Sequence, residues 1–411
     1  MPSLRLGVIG FGERARHMVK IMLREDSTAR LTAIADPRSQ ALRPELAAEE
    51  SGLTDGVSFY DTADEMLDNE RLDGVIIGTR CSLHAAMAVK VLQRNIGLFL
   101  EKPIATTMQD LLSLKAAARP NVVVSFPLRV SAIVRLASKI IAEGHIGSVE
   151  HVQAWCDVPY GAVYYQGWYR DENETHGMFL QKASHDFDYI NCLLDNRRPT
   201  MVAAMKSKQV FQGNHTAGLS CMNCVEKKTC FESPYQSSRE FPLSLDTPSK
   251  DMCAFAVDTG NEDSGSALIM YDSGLHVSYS QNFYSRNKAA TRGARLIGYL
   301  GTIEFDWFTE SLKVMYHQDK RVETHVFDPT NDHGGGDQKL AANFLQVIRG
   351  EAPSISSMDN GLLNGLVCIK ATESAITHQF EKIEFPDDGS KSGSVSDLNR
   401  TSGSTKSLTL I

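Results

Sequence analysis

An alternation in the first third of the chain limits the fold more than any other feature. Apolar runs of strand length, LRLGVIG (4–10), LTAIAD (31–36), DGVIIGT (73–79), IGLFLE (96–101) and NVVVSF (121–126), are each bounded by turn residues. Between them lie helix-length stretches such as SLHAAMAVKVLQRN (82–95) and TMQDLLSLKAAA (107–118). Near-continuous apolar strands separated by amphipathic helices predict a parallel sheet covered on both faces.

The pattern changes after about residue 128. RVSAIVRLASKIIAEGHIG (129–147) has helical spacing, and VEHVQAWCDV alternates like a strand. GSALIMYDSGLHVSYSQNF reads as two strands joined at Asp272–Ser273–Gly274, and ARLIGYLGTIEFDWFTESLKVMYHQ adds more strand and turn sequence. DQKLAANFLQVIRG (337–350) and LLNGLVCIKATESAITH (362–378) return to helix. The expectation is an α/β protein in two parts. A parallel-sheet domain spans 1–128, and an α+β domain with a mostly antiparallel sheet spans 129–385. The remaining 386–411 is rich in Gly, Ser, Asp and Lys and is expected to be a disordered tail.

Composition narrows the class. A chain of 411 residues suggests two domains, and 42% hydrophobic with 22% charged residues is a globular balance. A net charge of −8 speaks against nucleic-acid or anionic-membrane partners. No apolar run reaches the ~20 residues that a membrane helix needs. MPSLRLGVIG runs straight into strand-like sequence with no signal-peptide pattern, so a cytoplasmic location is expected. Eight cysteines in this length do not make a disulfide framework.

Chemistry first shows in GVIGFGERA. Gly10, Gly12 and Ala15 form G-x-G-x-x-A directly after a strand and directly before a helix. Gly10 permits the tight turn, Gly12 lets backbone approach a pyrophosphate, and Ala15 lets the helix pack closely. The turn Gly10–Phe11–Gly12–Glu13 then presents helix N–H groups to phosphates. Asp36 ends the second run, 24 residues after Gly12, where a carboxylate accepts from ribose hydroxyls and favours NAD. The neighbouring Arg38 would suit a 2′-phosphate, so NADP stays open.

LFLEKPIAT (98–106) carries a family resemblance. Glu101–Lys102–Pro103 at a strand end, after an N-terminal dinucleotide motif, is similar to the Gfo/Idh/MocA family. The likeness runs over roughly residues 4–380 and includes IRGEAPSISSMDNG. It implies a Rossmann domain followed by an α/β domain whose open sheet often joins a homo-oligomer, and a carbohydrate-like substrate. It also implies that Lys102 hydrogen-bonds the reacting oxygen, where an ammonium stabilises developing negative charge. Thr79, Arg80 and His84, in GTRCSLHAAM, fall near the implied nicotinamide site together with Glu101; Ser82 is a candidate cap for the following helix. Arg129 resembles an arginine at the domain junction, which a structural salt bridge would explain equally well.

FLQKASHDFD (179–188) resembles the family's catalytic helix. There the family carries Asp-x-Gly-x-His-x-x-Asp; here the histidine is His185, the later aspartate is Asp188, and Gln181–Lys182 replaces the first acid. His185, with an ordinary pKa of ~6.5, is the expected general acid/base. Lys182 either reaches the pocket, lowering the pKa of His185, or points to solvent. Gln181 is a candidate substrate contact. Asp188 is expected to buttress the helix and Asp186 to be solvated. Tyr169, His176 and His333 are further substrate candidates, because polar groups beside Gly-rich loops suit a polyhydroxylated ligand.

His215, Cys221, Cys224 and Cys230 have partial zinc-ligand spacing. No second C-x-x-C supports them, so reduced, unligated thiols and no metal are expected. Three functions follow in order: an NAD-dependent dehydrogenase acting on a sugar, cyclitol or sugar derivative; a redox-neutral glycoside-cleaving enzyme with resident NAD; and a non-catalytic dinucleotide-binding regulator.

Overall fold

A computed structural model describes residues 3–49, 52–194, 197–236, 251–328 and 333–386. Apart from Pro386, the expected tail lies outside the described residues. The first unit is β1 (Leu4–Ile9), α1 (Glu13–Glu25), β2 (Ala29–Ala35), α2 (Ser39–Glu49), β3 (Ser58–Tyr60), α3 (Ala63–Asn69), β4 (Gly74–Ile77), α4 (His84–Gln93), β5 (Gly97–Leu100), α5 (Met108–Ala117) and β6 (Val122–Val124). Its six strands pair in parallel in the order β3-β2-β1-β4-β5-β6. Every residue of β4, β5 and β6 is buried, as strands covered on both faces must be. The short β3 was not read from the sequence, since SFY offers too few apolar residues to mark a strand.

The second unit contains α6 (Ala132–Ala142), β7 (Val149–Asp157), α7 (Val163–Gln166), α8 (Glu172–Thr175), α9 (Met178–Gln181), α10 (Ala183–Leu193), β8 (Pro199–Ser207), β9 (Ser264–Tyr271), β10 (His276–Asn282), β11 (Thr291–Gly298), β12 (Gly301–Asp306), β13 (Ser311–Tyr316), β14 (Val322–Val326), α11 (Gly336–Arg349), α12 (Met358–Thr377) and β15 (Glu381–Lys382). Nine strands form one sheet in the order β14-β13-β12-β11-β7-β10-β9-β8-β15. All its pairs are antiparallel except β7 with β10.

One face of this sheet carries α10. Phe187 meets Tyr279 edge-on at 5.0 Å, and Tyr189 meets Trp307 at 4.9 Å. The opposite face is open: along β9 burial alternates, and Leu268 and Met270 are exposed beside Met205 of β8.

The boundary expected at 128/129 places α11 with the second sheet, whereas α11 packs on the first. Leu340, Phe344 and Val347 share a core with Leu6, Val8, Ile76 and Phe99, and Phe344 meets Phe99 edge-on at 5.7 Å. Glycines in the strands make room for it. A Cβ on Gly74 would lie 2.8 Å from Phe344, and one on Gly97 would lie 2.2 Å from Ile348. A contact this tight forces side chains or backbone to shift. Gly97→Ala should therefore destabilise by roughly 1–3 kcal/mol in urea unfolding. Combined with Ile348→Ala, its cost should shrink because the clashing methyl is gone; strictly additive costs would refute this packing.

Candidate active site

The Gly-rich turn is built as its sequence requires. Gly10 has φ +80°, and a Cβ there would fall 2.8 Å from Thr79. A Cβ on Gly12 would meet only the Gly78 carbonyl at 3.8 Å, so the space over the turn is open. Gly12 starts α1 without a side-chain cap, unlike Thr62 of α3 and Thr107 of α5, which accept backbone N–H bonds. An open cradle at an uncapped helix start fits a pyrophosphate. Asp36 accepts from the Phe11 N–H at 3.0 Å and the Arg38 N–H at 2.9 Å, which ties its carboxylate to the turn. The Arg38 guanidinium is mostly exposed, 4.0 Å from Asp36.

At the exit of β5 stand Glu101 and Lys102, and the Lys102–Pro103 peptide is cis. The Lys102 Nζ donates to the Gln181 carbonyl at 2.7 Å, bringing the two units together. Burial lowers its pKa to about 8, because desolvation disfavours the ammonium. Glu101 is buried and accepts from Arg14 at 2.9 Å. His84 is likewise interior. Its Nδ1 stands 2.7 Å from the Pro103 carbonyl and its Nε2 3.2 Å from that of Thr79, which places it against the lysine turn.

FLQKASHDFD is not one continuous helix. Lys182, with φ −117° and ψ −53°, sits at a break between α9 and α10. Only 4% of Lys182 is exposed, and its Nζ donates to the Tyr160 hydroxyl at 2.7 Å. The ammonium also lies 5.0 Å from the centre of the Tyr160 ring and 5.9 Å from that of Tyr164. Burial opposes its charge, but these phenol neighbours outweigh burial and leave its pKa above that of an ordinary lysine. Lys182 thus faces inward. Gln181 is buried too, and its amide oxygen accepts the Cys81 S–H at 3.1 Å.

His185 heads the same helix. Its Nδ1 is buried without a hydrogen-bond partner, and its ring centre is 5.9 Å from that of His333. Burial first, then the charges of Lys102, Arg292, His333 and Lys182, hold its pKa well below 6.5. His185 is therefore neutral at neutral pH and able to accept a proton.

Asp186, expected in solvent, has no exposed surface. It takes Arg292 Nε at 2.9 Å and the Tyr279 hydroxyl at 3.0 Å. The reason is local: one residue past His185 on α10, its side chain points onto the sheet. Ser82 does not cap α4; its hydroxyl bonds Glu174 across the cleft. Arg129, a substrate candidate, instead spends its guanidinium on a bidentate pair with Asp188 at 2.9 and 2.7 Å and on Asn360 at 2.7 Å. Asp188 buttresses the junction through that pair.

Arg80 lies 4.1 Å over the Trp168 ring, and the Tyr169 ring is tilted against those of Trp168 and Tyr164 at 4.0 and 5.4 Å. His176 is set apart from this group. It caps α8 in a left-handed conformation and lines a separate groove of about 950 Å³ with Thr107, Lys206 and Glu373. His215, Cys221, Cys224 and Cys230 gather with Cys253 around a small apolar pocket, and these thiols form no disulfide. Among the described residues no three His, Cys, Asp or Glu groups stand in metal-binding geometry.

Sequence reasoning missed Arg14, in the first turn of α1. It donates to Glu101 at 2.9 Å, to both oxygens of Asp337 at 2.8 and 2.6 Å, and to Ser125 at 3.1 Å. Asp337 also bonds His333 Nδ1 at 2.9 Å, and its pKa falls far below the ordinary value because these hydrogen bonds overcome burial. An arginine inside a G-x-G-x-x-A turn was the available signal; its partners, far away in sequence, were not.

Residues 4–127 match the oxidoreductase family with an NAD-binding Rossmann fold, and residues 134–304 match the GFO/IDH/MocA C-terminal domain. YteT of Bacillus subtilis (strain 168), named an oxidoreductase, is 29% identical over 328 residues, 69% of this chain and 74% of that protein. The NAD(+)-dependent scyllo-inositol 2-dehydrogenase of the same organism is 25% identical over 203 residues, 47% of this chain and 54% of its own length. A levoglucosan dehydrogenase solved with NADH and levoglucosan shares the fold at TM-score 0.70 and 19% identity, covering 93% of this chain and 99% of that one.

Removing one partner from a buried charge network strands the others. Arg14→Met should cost about 3 kcal/mol of stability and weaken NAD binding, read by thermal unfolding with and without NAD. Unchanged melting and unchanged NAD binding would remove Arg14 from this role.

Proposed function

Because the chain belongs to the Gfo/Idh/MocA family of NAD-binding oxidoreductases, we propose that it oxidises a secondary hydroxyl of a sugar, cyclitol or sugar derivative. The observation that carries this reading is the 2.7 Å bond from Lys102 to the Gln181 carbonyl. It brings the lysine at the strand end of one unit to the entrance of the helix that bears His185. NAD, when bound, accepts the hydride.

The chain's own groups handle the proton and the oxygen. Neutral His185 takes the hydroxyl proton as the carbinol C–H leaves with its electron pair and the C=O bond forms. The Lys102 ammonium donates to the substrate oxygen and stabilises its negative character. In the reverse direction His185 returns the proton. Asp36, held beside the Gly-rich turn, supports NAD over NADP. A redox-neutral cleavage keeps some support from Tyr160, whose hydroxyl is held by Lys182 and offers a second site for proton exchange. We also infer pairing of two copies through the open sheet face, since Leu268, Met270 and Met205 there are exposed. Leu268→Lys should then shift the mass in light scattering toward the monomer, and an unchanged mass would argue against this face.

The pH dependence follows from the charges. His185 must be neutral to accept a proton, so lowering its pKa should move the acidic limb of kcat/KM below pH 6.5. Lys102 must be charged to donate, so activity should fall as pH rises through about 8. Lys102→Met should lose roughly 10²–10³ in kcat and His185→Ala roughly 10²–10⁴, followed as NADH absorbance over a carbohydrate panel. Full turnover by both variants would defeat the mechanism. Release of aglycone without net NADH would favour the cleavage reading.

A further inference from the structure

The catalytic cleft holds more positive charge than the protein balances. Among the described residues Lys102 and Lys182 have no carboxylate within ion-pair reach; their polar partners are a carbonyl and a phenol. Arg292 is paired through Nε to Asp186, yet its Nη2 is buried and finds no acceptor. The acids nearby are already committed. Glu101 and Asp337 hold Arg14, Asp188 holds Arg129, and Asp186 holds Arg292 and Tyr279. A buried ammonium without a counter-ion costs several kcal/mol, and chains carry one where a ligand supplies the missing charge. The nicotinamide of oxidised NAD adds a further positive charge, so the cofactor's reacting end does not supply it.

We propose that the substrate is a sugar acid, a polyhydroxylated molecule bearing a carboxylate, and that Lys182 is the residue that receives this carboxylate. This rests on the dehydrogenase reading for the oxidised carbon, not for the anion site itself. The second carboxylate on Arg14 offsets the charge of Lys102, which leaves Lys182 as one surplus cation. One surplus charge matches a carboxylate at −1, whereas a sugar phosphate carries about −1.5 to −2. The setting of Lys182 suits an anion. The break between α9 and α10 places its ammonium inside, and the faces of Tyr160 and Tyr164 hold it there without neutralising it. The Tyr160 hydroxyl, which accepts from Lys182, keeps its own proton to donate to a carboxylate oxygen. Oxidation remains the balanced step already described: hydride to NAD, proton to His185, and the carboxylate unchanged.

The test compares matched pairs on the intact protein with NAD. Glucuronate is set against glucose, galacturonate against galactose, and gluconate against glucitol. Two readouts run together: NADH formation, and the thermal shift each compound causes. A charge-assisted contact in a dry site is worth about 10- to 100-fold, so at least one acid should exceed its neutral partner by that factor in kcat/KM. The same acid should raise the melting temperature more than its neutral partner. Lys182→Met should collapse that ratio by raising the KM for the acid more than it lowers kcat. Neutral sugars turned over as well as their acids would overturn the proposal while sustaining the dehydrogenase reading. Acids that bind and stabilise without forming NADH would sustain the carboxylate site and overturn that reading. Acids that neither bind nor react would overturn the proposal, and this outcome needs no variant.

Discussion

One guanidinium sets the geometry on which the site depends. Arg14 leaves the first turn of α1, beside the Gly-rich turn, and reaches Glu101 at the end of β5 and Asp337 at the start of α11. Burial alone would depress its charge, but two carboxylates at hydrogen-bond distance more than restore it. Each partner passes position onward. Glu101 precedes Lys102 in the chain, and Asp337 holds His333 opposite His185. The Gly-rich turn, the lysine turn and the histidine helix therefore share one electrostatic joint, and α11 is pressed onto the first sheet by the same pairing.

Much of this could be read from the sequence where the physics is local. Five of the six parallel strands follow from apolar runs and helical spacing within windows of ten residues, and Gly10, Gly12 and Asp36 follow from a turn whose conformation allows few residue types. Contacts between distant segments leave no such trace. Nothing near Arg14 announces Asp337, 323 positions away. Asp186 resembles a solvated helix aspartate until Arg292, 106 residues later, arrives from β11. His84 shows why a chemically able residue is a weak clue: two backbone carbonyls occupy both its nitrogens. The break at Lys182 was equally hidden, because QKASHDFD contains neither proline nor glycine and reads as unbroken helix.

That break changes what the segment does. On a continuous helix Lys182, His185 and Asp188 would share a face. In the structure their surroundings differ: Lys182 turns to the tyrosines that follow β7, His185 to His333, and Asp188 to Arg129. Division of the segment gives neighbouring residues three different surroundings, so they do not compete for one surface.

Gln181 is where these demands meet. Its carbonyl holds the Lys102 ammonium and its neutral amide oxygen takes the Cys81 S–H. A carboxylate at this position would stand close to Lys102 and cancel much of its charge. It would draw the pKa of Lys102 back up from about 8 toward its ordinary value, since an opposite charge favours the ammonium. It would also relieve the repulsion from Lys102 that, after burial, keeps His185 unprotonated. A neutral residue at 181 keeps the histidine unprotonated and Lys102 short of a counter-ion. Both consequences favour a bound molecule that brings oxygen atoms, and negative charge, of its own.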